Sequence, residues 1–137
     1  MLNQCRVLVA EDDDVNAIVI AEQLRALGCE LTLVVEGAHA VSAALSEKFD
    51  LLMLDCRIPV LDGDEAARMI RRQERDHASL PVPIMAVTAS VLSAEQACWL
   101  AAGMDLMLAK PYTSRQLRDV VTQCTWRSPR NGDAGHR

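Results

Sequence analysis

No stretch of this sequence stays apolar for long. The longest such runs, Ala17 to Ala21 among them, fall far short of the ~20 residues that a membrane span needs, and Met1 to Ala10 lacks a secretory layout. Neither membrane insertion nor export is expected, and the chain reads as cytoplasmic. Cys5, Cys29, Cys56, Cys98 and Cys124 are odd in number and scattered, with no C-x-x-C pair, which argues against a disulfide framework and a zinc site. They read as small core-filling thiols. His39, His77 and His136 lie too far apart for ligand-like spacing. Positive charge is not in excess either. With 14 Lys and Arg against 19 Asp and Glu the net charge is −5, which argues against a general nucleic-acid or membrane-surface binder. No Gly-rich or Ser/Thr-rich phosphate loop follows the first apolar run, which leaves a nucleotide-binding role without support. There is no internal repeat and no sign of a second domain.

What remains is enough for one domain with a proper core, since the chain has 137 residues and half of them are hydrophobic. Short apolar runs recur at Val7–Ala10, Leu31–Val34, Leu51–Leu54, Ile84–Val87 and Leu106–Ala109. They lack polar alternation, as parallel strands covered on both faces do. Between them, Ala17, Ile20, Leu24 and Leu27 share a helical face, and Gly28 follows where a left-handed cap belongs. Ala40 to Leu45 forms a short second helix after Gly37. Asp62 opens a third, with Glu65 completing a capping box, and Ser93-x-x-Gln96 and Thr113-x-x-Gln116 repeat that signature for helices four and five. Gly103 ends helix four. Leu117, Val120, Val121 and Cys124 supply the stripe that packs the last helix on a sheet. Strict strand–helix alternation implies right-handed crossovers and an open parallel sheet in a three-layer α/β/α sandwich. The domain is expected over residues 1–126, with 127–137 as a flexible tail.

In open α/β sheets ligands bind beyond the carboxyl ends of the strands. Strand one ends in Glu11-Asp12-Asp13-Asp14, strand three in Asp55, strand four in Thr88 and strand five in Lys110-Pro111. Asp13 or Asp14 is explained by capping helix one. Glu11, Asp12 and Asp55 would converge as like charges, which is costly unless a cation binds or a proton stays on. Mg²⁺ meets that need, because it takes oxygen ligands and is held by one or two carboxylates plus phosphate oxygens. Lys110 adds a positive charge and Thr88 a neutral donor. The set describes a pocket for a phosphoryl group transferred to Asp55.

Four ordered stretches carry a resemblance: Val7–Asp12, Leu54-Asp55-Cys56-Arg57-Ile58-Pro59-Val60-Leu61-Asp62-Gly63, Val87-Thr88-Ala89, and Ala102-Gly103-Met104-Asp105 leading to Lys110-Pro111. The chain resembles the receiver domain of two-component response regulators over about residues 5 to 124. Asp13-Asp14-Val15-Asn16 and the long helix from Gly63 to Arg75 are similar to receivers attached to hybrid sensor histidine kinases. The resemblance implies a flavodoxin-like, doubly wound (βα)5 fold with strand order 2-1-3-4-5. It implies that Asp55 accepts a phosphoryl group from a phosphohistidine of a sensor histidine kinase or a histidine phosphotransfer domain. Asp12 and Asp55 would ligate Mg²⁺ directly, Glu11 through water, and the backbone carbonyl of Arg57 would complete the set. Lys110 would pair with Asp55 at rest and with a phosphoryl oxygen afterwards, and Thr88 would bond another. The Lys110–Pro111 bond is often cis in this family.

The sequence departs from the family at Met107, where receivers usually carry Tyr or Phe. With one Phe and one Tyr in the chain, a downstream protein docking on the helix 4–strand 5–helix 5 face would meet Trp99, Met107 and Tyr112. For Trp99 partial core packing is the expectation. Arg57 and Ser90 sit where family members tune the lifetime of the acyl phosphate, and Cys56 is expected to be a small residue against the sheet. The chain is thus expected to be a switch without an output domain of its own. A phosphatase of the haloacid dehalogenase type is the alternative, but it wants a second Asp where Arg57 stands. A docking module independent of phosphorylation would not need Asp12, Asp55, Thr88 and Lys110 all intact.

Overall fold

The computed structural model describes residues 5–56, 62–88 and 93–127, with the backbone alone for 93–95 and 124–127. Strands and helices alternate throughout: β1 (Arg6–Ala10), α1 (Asp14–Ala26), β2 (Glu30–Val34), α2 (Gly37–Ser46), β3 (Leu51–Asp55), α3 (Gly63–Asp76), β4 (Ile84–Thr88), α4 (Ser93–Ala101), β5 (Leu106–Ala109) and α5 (Ser114–Arg127). The strands form one parallel sheet in the order β2-β1-β3-β4-β5. Its connectivity reverses between β1 and β3, which opens a crevice at their carboxyl ends.

Two apolar layers hold the helices to the sheet. Val7, Val9, Met53 and Met85 face Ile20 and Leu24 of α1 and Leu117 and Val121 of α5. Leu8, Leu52, Leu54 and Ile84 face Ala40 of α2 and Ala66 and Ile70 of α3. Because both faces are covered, β3 and β4 are buried at every position, which is why their sequences show no alternation. Edge strand β2 has no fully buried residue. Cys5, Cys29 and Cys56 are buried as core thiols, but Cys98 is exposed on α4, contrary to expectation: its position turns it toward Arg68 of α3, whose guanidinium lies 3.9 Å from the sulfur. The Cys124 side chain lies outside the described residues.

Among the described residues, helix ends follow the local chemistry with two exceptions, and the Ser93 side chain expected to cap α4 lies outside them. Asp13 caps α1, its Oδ1 accepting the Asn16 N–H at 2.9 Å, and Gly28 takes the left-handed φ of 90° after it. Thr113 and Gln116 form a reciprocal capping box at α5, with bonds of 2.8 and 3.1 Å. The box expected at α3 does not form. Asp62 occupies the cap position without a side-chain bond, and the Gly63 N–H donates instead to the Cys56 carbonyl at 3.3 Å. The second helix also begins earlier than its apolar run, because Gly37 is its buried first residue rather than a break before it. Gly103 follows α4 at φ 100°. There Arg71 of α3 donates to the Gly103 carbonyl at 2.9 Å, to Glu74 at 2.8 Å and to Asp105 at 2.8 Å, fastening α3 to the α4–β5 turn. The expected tail begins at Arg127, the last residue of α5, and 128–137 lie outside the described residues. Among the described residues no helix is long and apolar enough to cross a membrane.

Candidate functional site

Register brings the polar strand ends to one level. Ala10 pairs with Leu54, so Glu11 and Asp55 follow side by side. Asp55 pairs with Val87, one residue before Thr88, and Thr88 pairs with Ala109, one before Lys110. Backbone bonds continue the ladder past the strands: the Glu11 N–H donates to Val34 at 3.0 Å, Cys56 to Val87 at 3.0 Å and Lys110 to Thr88 at 2.7 Å. Glu11, Asp55, Thr88 and Lys110 therefore each sit at a strand terminus or the position after it, held by sheet backbone, while Asp12 lies one residue further along, between β1 and α1.

Carboxylate oxygens of Glu11, Asp12 and Asp55 all lie within 4.8 Å of one another, with Asp12 the exposed member. Lys110 reaches in from β5, its Nζ donating to Asp55 Oδ2 at 2.8 Å and to Glu11 Oε1 at 3.4 Å. The Lys110–Pro111 bond is cis. Glu11 keeps only 2% of its side chain exposed, Asp55 10% and Lys110 25%. Burial raises the pKa of Glu11; the Asp13 N–H and Lys110 oppose the rise while the Asp55 charge adds to it. Burial acts to lower the pKa of Lys110, but the hydrogen bond and charge of Asp55, then Glu11, outweigh it and leave the ammonium more basic than usual. Among the described residues one ammonium thus contacts two buried carboxylates, with the exposed Asp12 carboxylate beside them, so the acids outnumber the cation. The donor set, all carboxylate oxygen, fits a hard divalent ion such as Mg²⁺.

Thr88 is buried at the end of β4. Arg57 and Ser90 lie outside the described residues. Trp99 packs partly buried against the α2/α3 layer, as expected, while Tyr112 packs against the α1/α5 layer. Burial, then the charges of Glu11 and Asp55, push the Tyr112 hydroxyl up to about 12. Met107 is half-buried in β5.

Sequence reasoning passed over two features. Val15, Ile18 and Val19 are strongly exposed on α1, the helix that begins at the acid cluster, and Leu100 is exposed on α4. The signal was present: from Val15 to Ala21 α1 is apolar nearly all the way round, more than one buried face requires. The second is Gly63, the first residue of α3, which lies against the backbone of Asp55. A groove of about 1050 Å³ between the ends of α2 and α3 is lined by Arg6, Phe49 and Val82, at the amino ends of the strands, away from Asp55.

The family model described as response regulator receiver domain matches residues 7–122. The chain is 36% identical over 126 residues to the sensor histidine kinase GacS of Pseudomonas protegens, a match that covers 92% of this chain but 14% of that protein. It is 31% identical over 115 residues to the transcription factor SKN7 of Saccharomyces cerevisiae, covering 84% of this chain and 18% of that one. The chain therefore spans a small part of these curated relatives. Among solved structures, the receiver domain of sensor histidine kinase PA1611 from Pseudomonas aeruginosa, with a magnesium ion coordinated in its active site cleft, matches with TM-score 0.81 and 40% identity over 89% of this chain and 98% of that one. A co-crystal structure of the Saccharomyces cerevisiae histidine phosphotransfer signaling protein Ypd1 and the receiver domain of its response regulator Ssk1 holds a chain that matches with TM-score 0.87 and 28% identity, covering 92% of each.

Proposed function

The chain belongs to the response regulator receiver domain family, a phosphoacceptor module of two-component signalling, and on that premise we propose that Asp55 is the residue that takes the phosphoryl group. The donor is a phosphohistidine on a sensor histidine kinase or a histidine phosphotransfer domain. The observation that carries this reading is the 2.8 Å contact of Lys110 with Asp55 inside the acidic cluster.

An Asp55 carboxylate oxygen attacks phosphorus in line while the bond to the donor's imidazole nitrogen breaks. The transfer needs positioning and neutralisation of spread negative charge more than covalent help. Asp12 and Asp55 would hold Mg²⁺, with Glu11 acting through water and the Arg57 carbonyl completing the set as the family resemblance implies, and the bound ion would supply part of that neutralisation. Lys110 exchanges its bond to Asp55 for one to a phosphoryl oxygen, and the Thr88 hydroxyl donates to another. The acyl phosphate is then open to water, which resets the site. The acyl phosphate carries roughly −2 at neutral pH where the carboxylate carried −1, and this added charge, with its new acceptor oxygens, biases the surrounding loops and helices toward a second arrangement.

For the donor we assign the exposed apolar stripe of α1, Val15, Ile18 and Val19, because it adjoins the acids and no other element covers it among the described residues. For the output we assign the α4–β5–α5 face with Trp99, Met107 and Tyr112, to which exposed Leu100 adds an apolar contact. The test is intact mass after incubation with Mg²⁺ and acetyl phosphate or a phosphorylated histidine phosphotransfer domain. A gain of one phosphoryl group that Asp55→Asn abolishes supports the assignment; no gain with either donor refutes it.

A further inference from the structure

Gly63 is the first residue of α3, and it lies against the backbone that carries Asp55. A methyl group on its Cα would meet the Asp55 carbonyl oxygen at 2.7 Å, the Cys56 Cα at 3.1 Å and the Asp55 carbonyl carbon at 3.3 Å. All three are main-chain atoms that cannot swing aside as a side chain does. Gly63 is not among the glycines at positive φ, which are Gly28 and Gly103. Its backbone angle would suit any residue, so the close approach alone excludes a side chain. The backbone it touches is held at two successive peptides: the Cys56 N–H, in the Asp55–Cys56 peptide, donates to Val87 of β4 at 3.0 Å, and the Cys56 carbonyl, in the peptide after it, accepts from Gly63 at 3.3 Å. Retreat from an added methyl would strain the Cys56–Val87 bond that continues the β3–β4 ladder or lift the start of α3 from the sheet.

We propose that Gly63 is a positioning residue for phosphoryl transfer: by lacking a side chain it lets the start of α3 press on the Asp55–Cys56 peptide and sets how deep the Asp55 carboxylate sits among Glu11, Asp12 and Lys110. The inference rests on the assignment of Asp55 as phosphoacceptor. Lys110 tethers the charged end of Asp55, and Gly63 limits its main-chain end. Ordinary contact begins near 3.4 Å, so an alanine would displace the pair by about 0.7 Å. A misplacement of ~1 Å can slow a reaction on the order of 100-fold.

Gly103→Ala is the matched control. Its added methyl meets the Arg71 Cγ at 2.7 Å and its φ is 100°, so it disturbs the fold at the α4–β5 turn without touching Asp55. The experiment measures the rate of phosphorylation by acetyl phosphate, by intact mass, and the Mg²⁺ concentration giving half-maximal rate, for wild type, Gly63→Ala and Gly103→Ala. Rates are divided by the folded fraction from circular dichroism. Gly63→Ala is expected to be about tenfold slower or worse per folded molecule with a raised Mg²⁺ midpoint, and Gly103→Ala to stay within about twofold of wild type. If Gly63→Ala unfolds, all three are compared in an osmolyte that restores its dichroism. Wild-type rate and midpoint in folded Gly63→Ala, or equal losses in both variants, would overturn the proposal. A wild type that gains no phosphoryl group refutes the Asp55 assignment itself and this inference with it.

Discussion

Replacing Lys110 by methionine removes one charge while keeping the aliphatic stem, and so isolates what the ammonium does for the acids around it. Its Nζ stands 2.8 Å from Asp55 and 3.4 Å from Glu11. Removing one partner of a buried ion pair costs ~3–5 kcal/mol, whereas an exposed pair is worth ~0–1 kcal/mol. Lys110 keeps 25% of its side chain exposed against 10% for Asp55 and 2% for Glu11, which puts the site between those limits. A loss of about 2 kcal/mol in Mg²⁺-free buffer at neutral pH is expected. Proton uptake sets a ceiling, since a carboxyl can escape repulsion at about 1.4 kcal/mol for each unit between its pKa and the pH. Glu11, whose pKa burial already raises, takes that route most readily. For a domain of this size the loss corresponds to a Tm drop of roughly 8 °C. Urea unfolding followed by circular dichroism, with and without Mg²⁺, is the assay. Because the variant's acids lack their internal cation, Mg²⁺ should stabilise it more than wild type, by the usual dependence on ligand concentration over Kd. Stability within about 0.5 kcal/mol of wild type without Mg²⁺ would refute the reasoning, because surface substitutions alone stay in that range. Equal stabilisation of both proteins by Mg²⁺ would refute it too.

Tyr112 is the only tyrosine in the chain, so phenolate absorbance reports it without ambiguity, and half-ionisation is expected near pH 12, where burial and the nearby acids push it. Its folded pKa lies above the unfolded value of ~10, so its contribution to stability is complete below pH ~10 and lost as pH rises toward 12; Tyr112→Phe should unfold less steeply across that window, and an ordinary titration near 10 would refute the burial argument. Ile18→Glu on the exposed face of α1 should slow transfer from a phosphorylated histidine phosphotransfer domain by roughly tenfold or more, the equivalent of ~1.4 kcal/mol of docking energy. Its phosphorylation by acetyl phosphate, which needs no docked protein, should be unchanged, and an equal loss with both donors would remove α1 from the donor interface.

Much of the architecture was readable because local patterns and global burial agree. The apolar runs of β3 and β4 lack alternation because both faces of the sheet are covered, and the ends of α1 and α5 carry the groups that cap them. Reading was poorer where a glycine or an acid has more than one use. Gly37 resembles a break yet begins α2, and Asp62 resembles a capping acid yet makes no capping bond, because main-chain contact between Gly63 and Cys56 opens α3. Exposure was also hidden: Cys98 and the α1 stripe are apolar in type, and residue type alone does not say which side of a helix faces water.

The sequence by itself determined which groups stand at the ends of the strands, because alternation of short apolar runs with amphipathic segments allows few other topologies. Glu11, Asp12, Asp55, Thr88 and Lys110 were identifiable on that ground. Only the tertiary structure decided how they meet. Parallel register brings Asp55 level with Glu11 and Lys110 within 2.8 Å of it, and distances of that kind depend on contacts between residues far apart in the chain. It also decided that Gly63 presses on the Asp55 peptide, since the need for a missing side chain is visible only when the neighbouring backbone is in place.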